Sequence, residues 1–245
     1  MIDIPTWHVQ GANGYPKETN EAHDNALMIA SLLMGRGWSL KSVCAVLGNI
    51  QGESGMNPWR WEGDYVPPYN EAWGWTPSQL SDHGYGFFQY TWFTFYANEG
   101  SAYPGFGINY RDRAGSDLDG QCQILYMDND LTRQNSPYGW NTNHFGEYND
   151  VFLPEGIDIS TFYYMSIPDF KSGANYTLDE LTAAFQLCYE RPRATVAYGG
   201  YLFRKDVAQY YYTYLSNQPI PPYPFSERKF NWIYYMKPRR KRLKL

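Results

Sequence analysis

A mainly α fold of the α+β class, with a small loop or β region, is what the sequence predicts. Two observations carry that reading. Apolar residues recur at helical spacing in five segments, three of them preceded by a residue that caps helix N-termini. Between the second and third, residues 55–90 are rich in Gly, Pro, Trp and Tyr and read as loops or short strands.

Residues 1–23 are polar and Gly-rich and read as an N-terminal arm. Asp24 or Asn25 is the expected cap of a first helix over ALMIASLLMGRGW, which ends near Gly35 and Gly37. Ser39 then caps LKSVCAVLGNIQGE, where Leu40, Val43, Val46, Leu47 and Ile50 form one apolar stripe. A third helical pattern covers Asp117 to Leu131, a fourth follows Thr177 through LDELTAAFQLCYE, and RKDVAQYYYTYL reads as the last. From Asn217 the Pro-rich stretch QPIPPYPF is expected to be extended and loosely held, leading into a basic C-terminus.

Composition excludes several classes. The 245 residues suffice for one main domain, and 24 Tyr and 9 Trp exceed what a minimal core needs, so many rings are expected on grooves or interfaces. Cys44, Cys122 and Cys188 are odd in number and lack metal-type spacing, which argues for reduced thiols. The N-terminus MIDIPTWHVQ lacks a signal-peptide pattern and no stretch is long enough to span a bilayer, so a product made in the cytoplasm is expected. The net charge of −5 is uneven: KPRRKRLKL holds six of the 20 Lys and Arg, leaving 14 bases against 25 acids in residues 1–236. An acidic body argues against a nucleic-acid enzyme. His8, His23, His83 and His144 form no HExxH set, and Cys44 and Cys188 lie in apolar helical text, so neither a zinc peptidase, a thiol amidase nor any cofactor is indicated.

One residue stands out against this background. At about 100° per residue, Glu53 lies within about 20° of Val46 on the helix wheel, so it extends the apolar stripe of the second helix. Desolvation and the helix C-terminus both disfavour a carboxylate anion there, a setting that suits a general acid. The alternative is a Glu that pairs with Arg60 or caps a loop.

The string GNIQGESGMNP around Glu53, then HGYGFFQYT, then AAFQLCYERP resembles the phage tail lysozyme family of the lysozyme-like superfamily. The three landmarks occur in order and frame about residues 22–215. The resemblance implies a two-lobed lysozyme-like catalytic domain, here residues 24–216, that cleaves the glycan strand of bacterial peptidoglycan with Glu53 as acid. It further implies that Ser54 and Asn57 brace the turn after the helix, and that Gly86 and Gln89 line the cleft opposite it. Tyr90 stands where the family usually has Trp, at one wall of the groove.

Glycoside hydrolysis asks for a second carboxylate, about 5–5.5 Å away in retaining enzymes and about 6.5–9.5 Å in inverting ones. Glu62, Asp64, Glu71 and Asp82 lie between the landmarks, with Asp82 and Asp64 preferred. If none serves, one Glu acts alone, as in the lytic transglycosylases of the same superfamily. Trp59, Trp61, Trp73, Trp75, Tyr85, Tyr90 and Trp92 are candidate glycan platforms, about half of them expected to be packing residues instead. Glu190, next to Arg191 and near Arg193, reads as a structural ion pair. Residues 217–245 combine aromatics with dense positive charge and read as a docking segment for another phage tail protein. A fold-preserving structural or wall-binding module without turnover is the alternative from a different class.

Overall fold

The computed structural model describes residues 7, 17–60, 83–90, 118–131, 140–142, 148, 152–191 and 194–222. Among these residues the protein is mainly α-helical. Helix α1 spans Asn20–Met34 and α2 spans Leu40–Ser54. They are followed by α3 over Leu118–Asp130, the short α4 over Ile167–Ser172, α5 over Leu178–Phe185 and α6 over Ala194–Ser216. Two 3₁₀ segments, Leu153–Glu155 and Ile159–Tyr164, precede α4, and a π turn over Gln186–Glu190 continues α5.

The helix boundaries follow from caps. The Ser39 hydroxyl accepts from the Ser42 amide at 3.1 Å, and α2 stops where Gly55 takes a left-handed conformation at φ 62°. Thr177 and Glu180 form a reciprocal capping box at the start of α5, as Ser166 and Asp169 do for α4. Helix α1 begins earlier than expected: Thr19, whose hydroxyl accepts from the Ala22 amide at 3.1 Å, is its cap. Asn25 is fully buried inside the helix and donates 2.8 Å to the Met56 carbonyl. Its amide fixes the turn after α2.

Helix α2 is the centre of the structure, with α6, α5, α1 and α4 packed around it. Its residues are buried on nearly every side, the polar Ser42, Asn49 and Gln51 among them, because neighbouring helices cover it all round. A buried carboxylate ties the periphery together. Asp128 on α3 accepts from Arg36, from the Trp38 indole at 2.9 Å and from Lys171 on α4. Three chain segments distant in sequence thus meet on one side chain.

The arm and the Pro-rich stretch are less detached than their composition implied. Trp7 is buried against Phe87, with ring centroids 5.4 Å apart, and Asn20 to His23 already belong to α1. Ile220 packs on the core and Ser31 donates 2.7 Å to the Pro221 carbonyl, so the chain from Asn217 to Pro221 is fastened to α1 rather than loosely held. Cys44, Cys122 and Cys188 are buried thiols. Burial pushes the Cys44 and Cys188 thiols well up, which fits inert packing.

Candidate functional site

Glu53 lies in the last turn of α2, and its side chain keeps 22% of its surface exposed. Its partner is not Arg60 but Arg204, which projects from α6 and is 8% exposed at the side chain. One Arg204 nitrogen donates to Glu53 Oε1 and another donates 2.8 Å to Asn49 Oδ1, one turn back along α2. Asn49 in turn donates from Nδ2 to the Ala45 carbonyl at 2.9 Å and to that of Thr182 at 3.2 Å. The amide is thereby oriented with its oxygen toward Arg204. A buried charge is tolerable where such a set of polar partners surrounds it.

Two glycines make room for this. A Cβ on Gly52 would come within 2.8 Å of Arg204 Nε, and one on Gly48 within 2.4 Å of the Arg204 carbonyl oxygen. Only a bare backbone on α2 lets α6 come this close.

Glu190 completes the cluster, in a way its neighbours in sequence do not suggest. Among the described residues it makes no ion pair: the Arg191 Nε donates 3.3 Å to the Tyr189 carbonyl instead. The Glu190 Oε1 atom is sealed from solvent with no hydrogen-bond partner among the described residues. Burial, reinforced by the charge of Glu53, pushes this carboxyl well above the ordinary range, and Arg204 and Arg191 offset only part of that. The structural ion pair read from YERP is therefore not found among the described residues, where Glu190 is a carboxyl that burial pushes upward.

Local hydrogen bonds shape the end of α2 and the turn after it. Ser54 is fully buried and donates 3.0 Å to the Ile50 carbonyl, while Asn57 Oδ1 accepts from the Trp59 amide at 2.9 Å. The second landmark folds as a tight turn closed by a Tyr85–Tyr90 bridge. Gly86, at φ 77°, sits where a Cβ would strike Gln123 Oε1 at 2.1 Å. Gln123 accepts from the Phe87 amide at 2.8 Å and donates 2.7 Å to the Pro58 carbonyl, binding this turn to the one after α2. Gln89 adds bonds to the carbonyls of Gly86 at 3.0 Å and Arg60 at 3.3 Å.

Two of the expected glycan platforms are core residues. Tyr85 and Tyr90 are each 1% exposed, and the Tyr90 hydroxyl bonds that of Tyr189 at 2.7 Å, with Phe88 and Tyr126 against its ring. Neither ring offers a face to a ligand in this conformation. Trp59 keeps part of its surface exposed. Glu62, Asp64, Glu71, Asp82, Trp61, Trp73, Trp75, Trp92 and Arg193 lie outside the described residues.

Arg204 is the site residue that sequence reasoning did not single out. Its signal was available: it shares an inner stripe with Tyr201, Ala208, Tyr211 and Leu215, all buried, so it is a cation on an apolar face.

The family described as phage tail lysozyme has a model that matches residues 24–215. No curated protein matches the chain.

Proposed function

From the premise that this chain belongs to the phage tail lysozyme family, we propose that it cuts the MurNAc–GlcNAc strand of peptidoglycan with Glu53 as general acid. The family match supports a phage-associated, lysozyme-like lytic role. The observation that carries the finer reading is the placement of Glu53. It stands at the C-terminal end of the central helix, partly exposed, held by a buried arginine whose own orientation is fixed by Asn49. A side chain held in this way has a fixed position from which a bound ligand can be reached.

In this reading Glu53 delivers a proton to the departing glycosidic oxygen, and Asp82 or Asp64 attacks the sugar or activates water. Ser54 and Asn57 hold the end of α2 and the turn that carries Trp59, and Gly86 and Gln89 fasten the second landmark against that turn. Trp59, Trp61 and Trp92 supply flat apolar faces for sugar rings. Residues beyond Pro222 attach the enzyme to a neighbouring tail protein, so that the wall is opened where the particle meets it.

A second reading is lytic transglycosylation by the same Glu53, which needs no second carboxylate; Asp64 and Asp82, which hydrolysis would use, lie outside the described residues. Mass spectrometry of digested peptidoglycan separates the two, because hydrolysis leaves reducing ends and transglycosylation leaves anhydro ends. Glu53→Gln tests both: cleavage should fall by about 10²–10⁴ with the helical circular dichroism unchanged. Near wild-type cleavage by that variant would remove Glu53 from the mechanism.

A further inference from the structure

The peptide bond between Pro58 and Trp59 is gripped on both edges. Asn57 Oδ1 accepts from its N–H at 2.9 Å, and Gln123 Nε2 donates 2.7 Å to its oxygen, the Pro58 carbonyl. A peptide is planar, so partners on its two edges fix its orientation, and with it the direction in which the Trp59 side chain leaves the backbone. Asn57 is a local partner. Gln123 is not: it comes from α3, 65 residues from Pro58.

The Gln123 amide is itself held in place. The residue is fully buried, and while Nε2 holds Pro58, Oε1 accepts from the Phe87 amide at 2.8 Å. The neighbouring Gly86 amide donates 2.8 Å to the Arg60 carbonyl, so the second landmark and the Trp59 turn are joined on both sides of Trp59. A Cβ on Gly86 would lie 2.1 Å from Gln123 Oε1, so only glycine admits the amide here. On α3, just before Gln123, the Trp7 ring lies against Gly120, where a Cβ would be 2.8 Å from Cδ2, and the same ring packs on Phe87. Further along, Asp128 fastens α3 to Arg36, Trp38 and Lys171.

We propose that Gln123 is a positioning residue for glycan binding, which acts by aiming Trp59. The proposal rests on the reading of Trp59 as a glycan platform. Trp59 is half-buried and its indole Nε1 is sealed, so any surface the ring offers is apolar, as the faces of a sugar ring are. How well such a contact forms depends on the angle at which the ring stands, and the grip on the Pro58–Trp59 peptide sets that angle before the ligand arrives. The acid is supported separately, by Asn49 on α2, the Thr182 carbonyl on α5 and Arg204 on α6. Gln123 therefore bears on binding and not on proton transfer.

Gln123→Met in the full-length chain is the test. Methionine has a similar length but cannot donate to Pro58, and its thioether is a weak acceptor for the Phe87 amide. Affinity for soluble, uncross-linked peptidoglycan strands is measured by calorimetry well below the melting temperature, in a Glu53→Gln background so that the strands stay whole. It should fall about tenfold, and in the chain with Glu53 the KM should rise by as much with kcat nearly unchanged. Trp59→Ala should weaken binding as well, and Gln123→Met should then cost nothing further, because a residue that acts by aiming Trp59 has nothing left to aim. Losses that add in the double variant, or a kcat that falls as far as kcat/KM, would make Gln123 a general support of the fold and overturn the proposal. Unchanged affinity in Gln123→Met beside a weakened Trp59→Ala overturns it too, and leaves the platform reading standing. If Trp59→Ala alone binds as tightly as the parent, the platform reading fails and the proposal with it. Should Gln123→Met not fold, Gln123→Glu, which keeps the acceptor for Phe87 and at neutral pH loses the donor to Pro58, goes through the same cycle with the same expectations.

Discussion

Gly48 lies against the backbone of Arg204: a Cβ there would be 2.4 Å from the Arg204 carbonyl oxygen and 3.0 Å from the Ala208 Cβ. One turn further along α2, a Cβ on Gly52 would meet the Arg204 side chain, 2.8 Å from Nε and 3.0 Å from Cγ. The two glycines of GNIQG therefore do different work. The first lets the helices touch, and the second gives the guanidinium a channel toward Glu53.

Alanine at the two positions should have different consequences. At Gly48 the obstacle is backbone, which cannot turn aside, so overpacking of about 1–3 kcal/mol is expected. Higher helix propensity, about 1 kcal/mol, returns part of it. At Gly52 the obstacle is the stem of the buried Arg204 side chain, so Gly52→Ala should lower cleavage as Arg204 is forced off Glu53 and cost stability as well. Urea melts paired with cleavage assays on both variants check this. A stable, active Gly48→Ala alongside an unfolded Gly52→Ala would refute the division of roles.

Asp128 makes stability depend on acidity. Burial alone would raise its carboxyl, but the hydrogen bond from Lys171 and the charge and bonds of Arg36 outweigh that and hold it below the usual range. A group depressed in the folded chain contributes stability that is complete above its unfolded value, about 3.9, and is lost as the pH falls through the folded value. Asp128→Asn should cost about 1–3 kcal/mol at pH 7, because it removes a buried acceptor from two partly exposed cations. Its deficit should shrink as the pH drops below about 4. Urea midpoints across that window measure it, and a deficit constant from neutral to strongly acidic pH would contradict the account.

How much of this was legible depended on whether the deciding interaction was local. Ser39 and Thr177 act within a turn of themselves, and the starts of α2 and α5 were readable from them. Asn25 has the chemistry of a cap, but its amide bonds Met56, 31 residues away, and no local rule ranks that above capping. Helix α6 was expected from Arg204, yet it begins at Ala194 and runs through Gly199 and Gly200. A Cβ on Gly200 would lie 3.6 Å from Gln186 and 3.8 Å from Arg204, so this glycine sits at a packed crossing. For the site, the stripe argument located Glu53 at its helix end. The same argument applied to α6 marks Arg204, but that the acid and the cation meet across 151 residues is a fact of packing alone. Glu190 was misjudged because the π turn that carries it cannot be recognised from periodicity, and sequence neighbours are poor guides to the partners of a residue placed by such a turn.

The same packing decides where the C-terminal segment can be cut. Its aromatic and basic composition points to docking on an acidic partner surface, and the chain body, with 14 bases against 25 acids before residue 237, is one such surface. Truncation at Asn217 would confound that question with stability, since Ile220 packs on the core and Pro221 accepts the Ser31 hydrogen bond. Deleting residues 223–245 instead spares both contacts. That variant should keep the wild-type melting temperature and wall-cleaving activity in solution, and lose salt-sensitive association with tail particles or with a second copy of the chain. Light scattering and co-sedimentation at low and high salt read the association, and salt should weaken it because exposed charges are screened over about 10 Å at 0.1 M. Loss of folding on this deletion would make residues 223–245 part of the core, and unchanged association would remove them from docking.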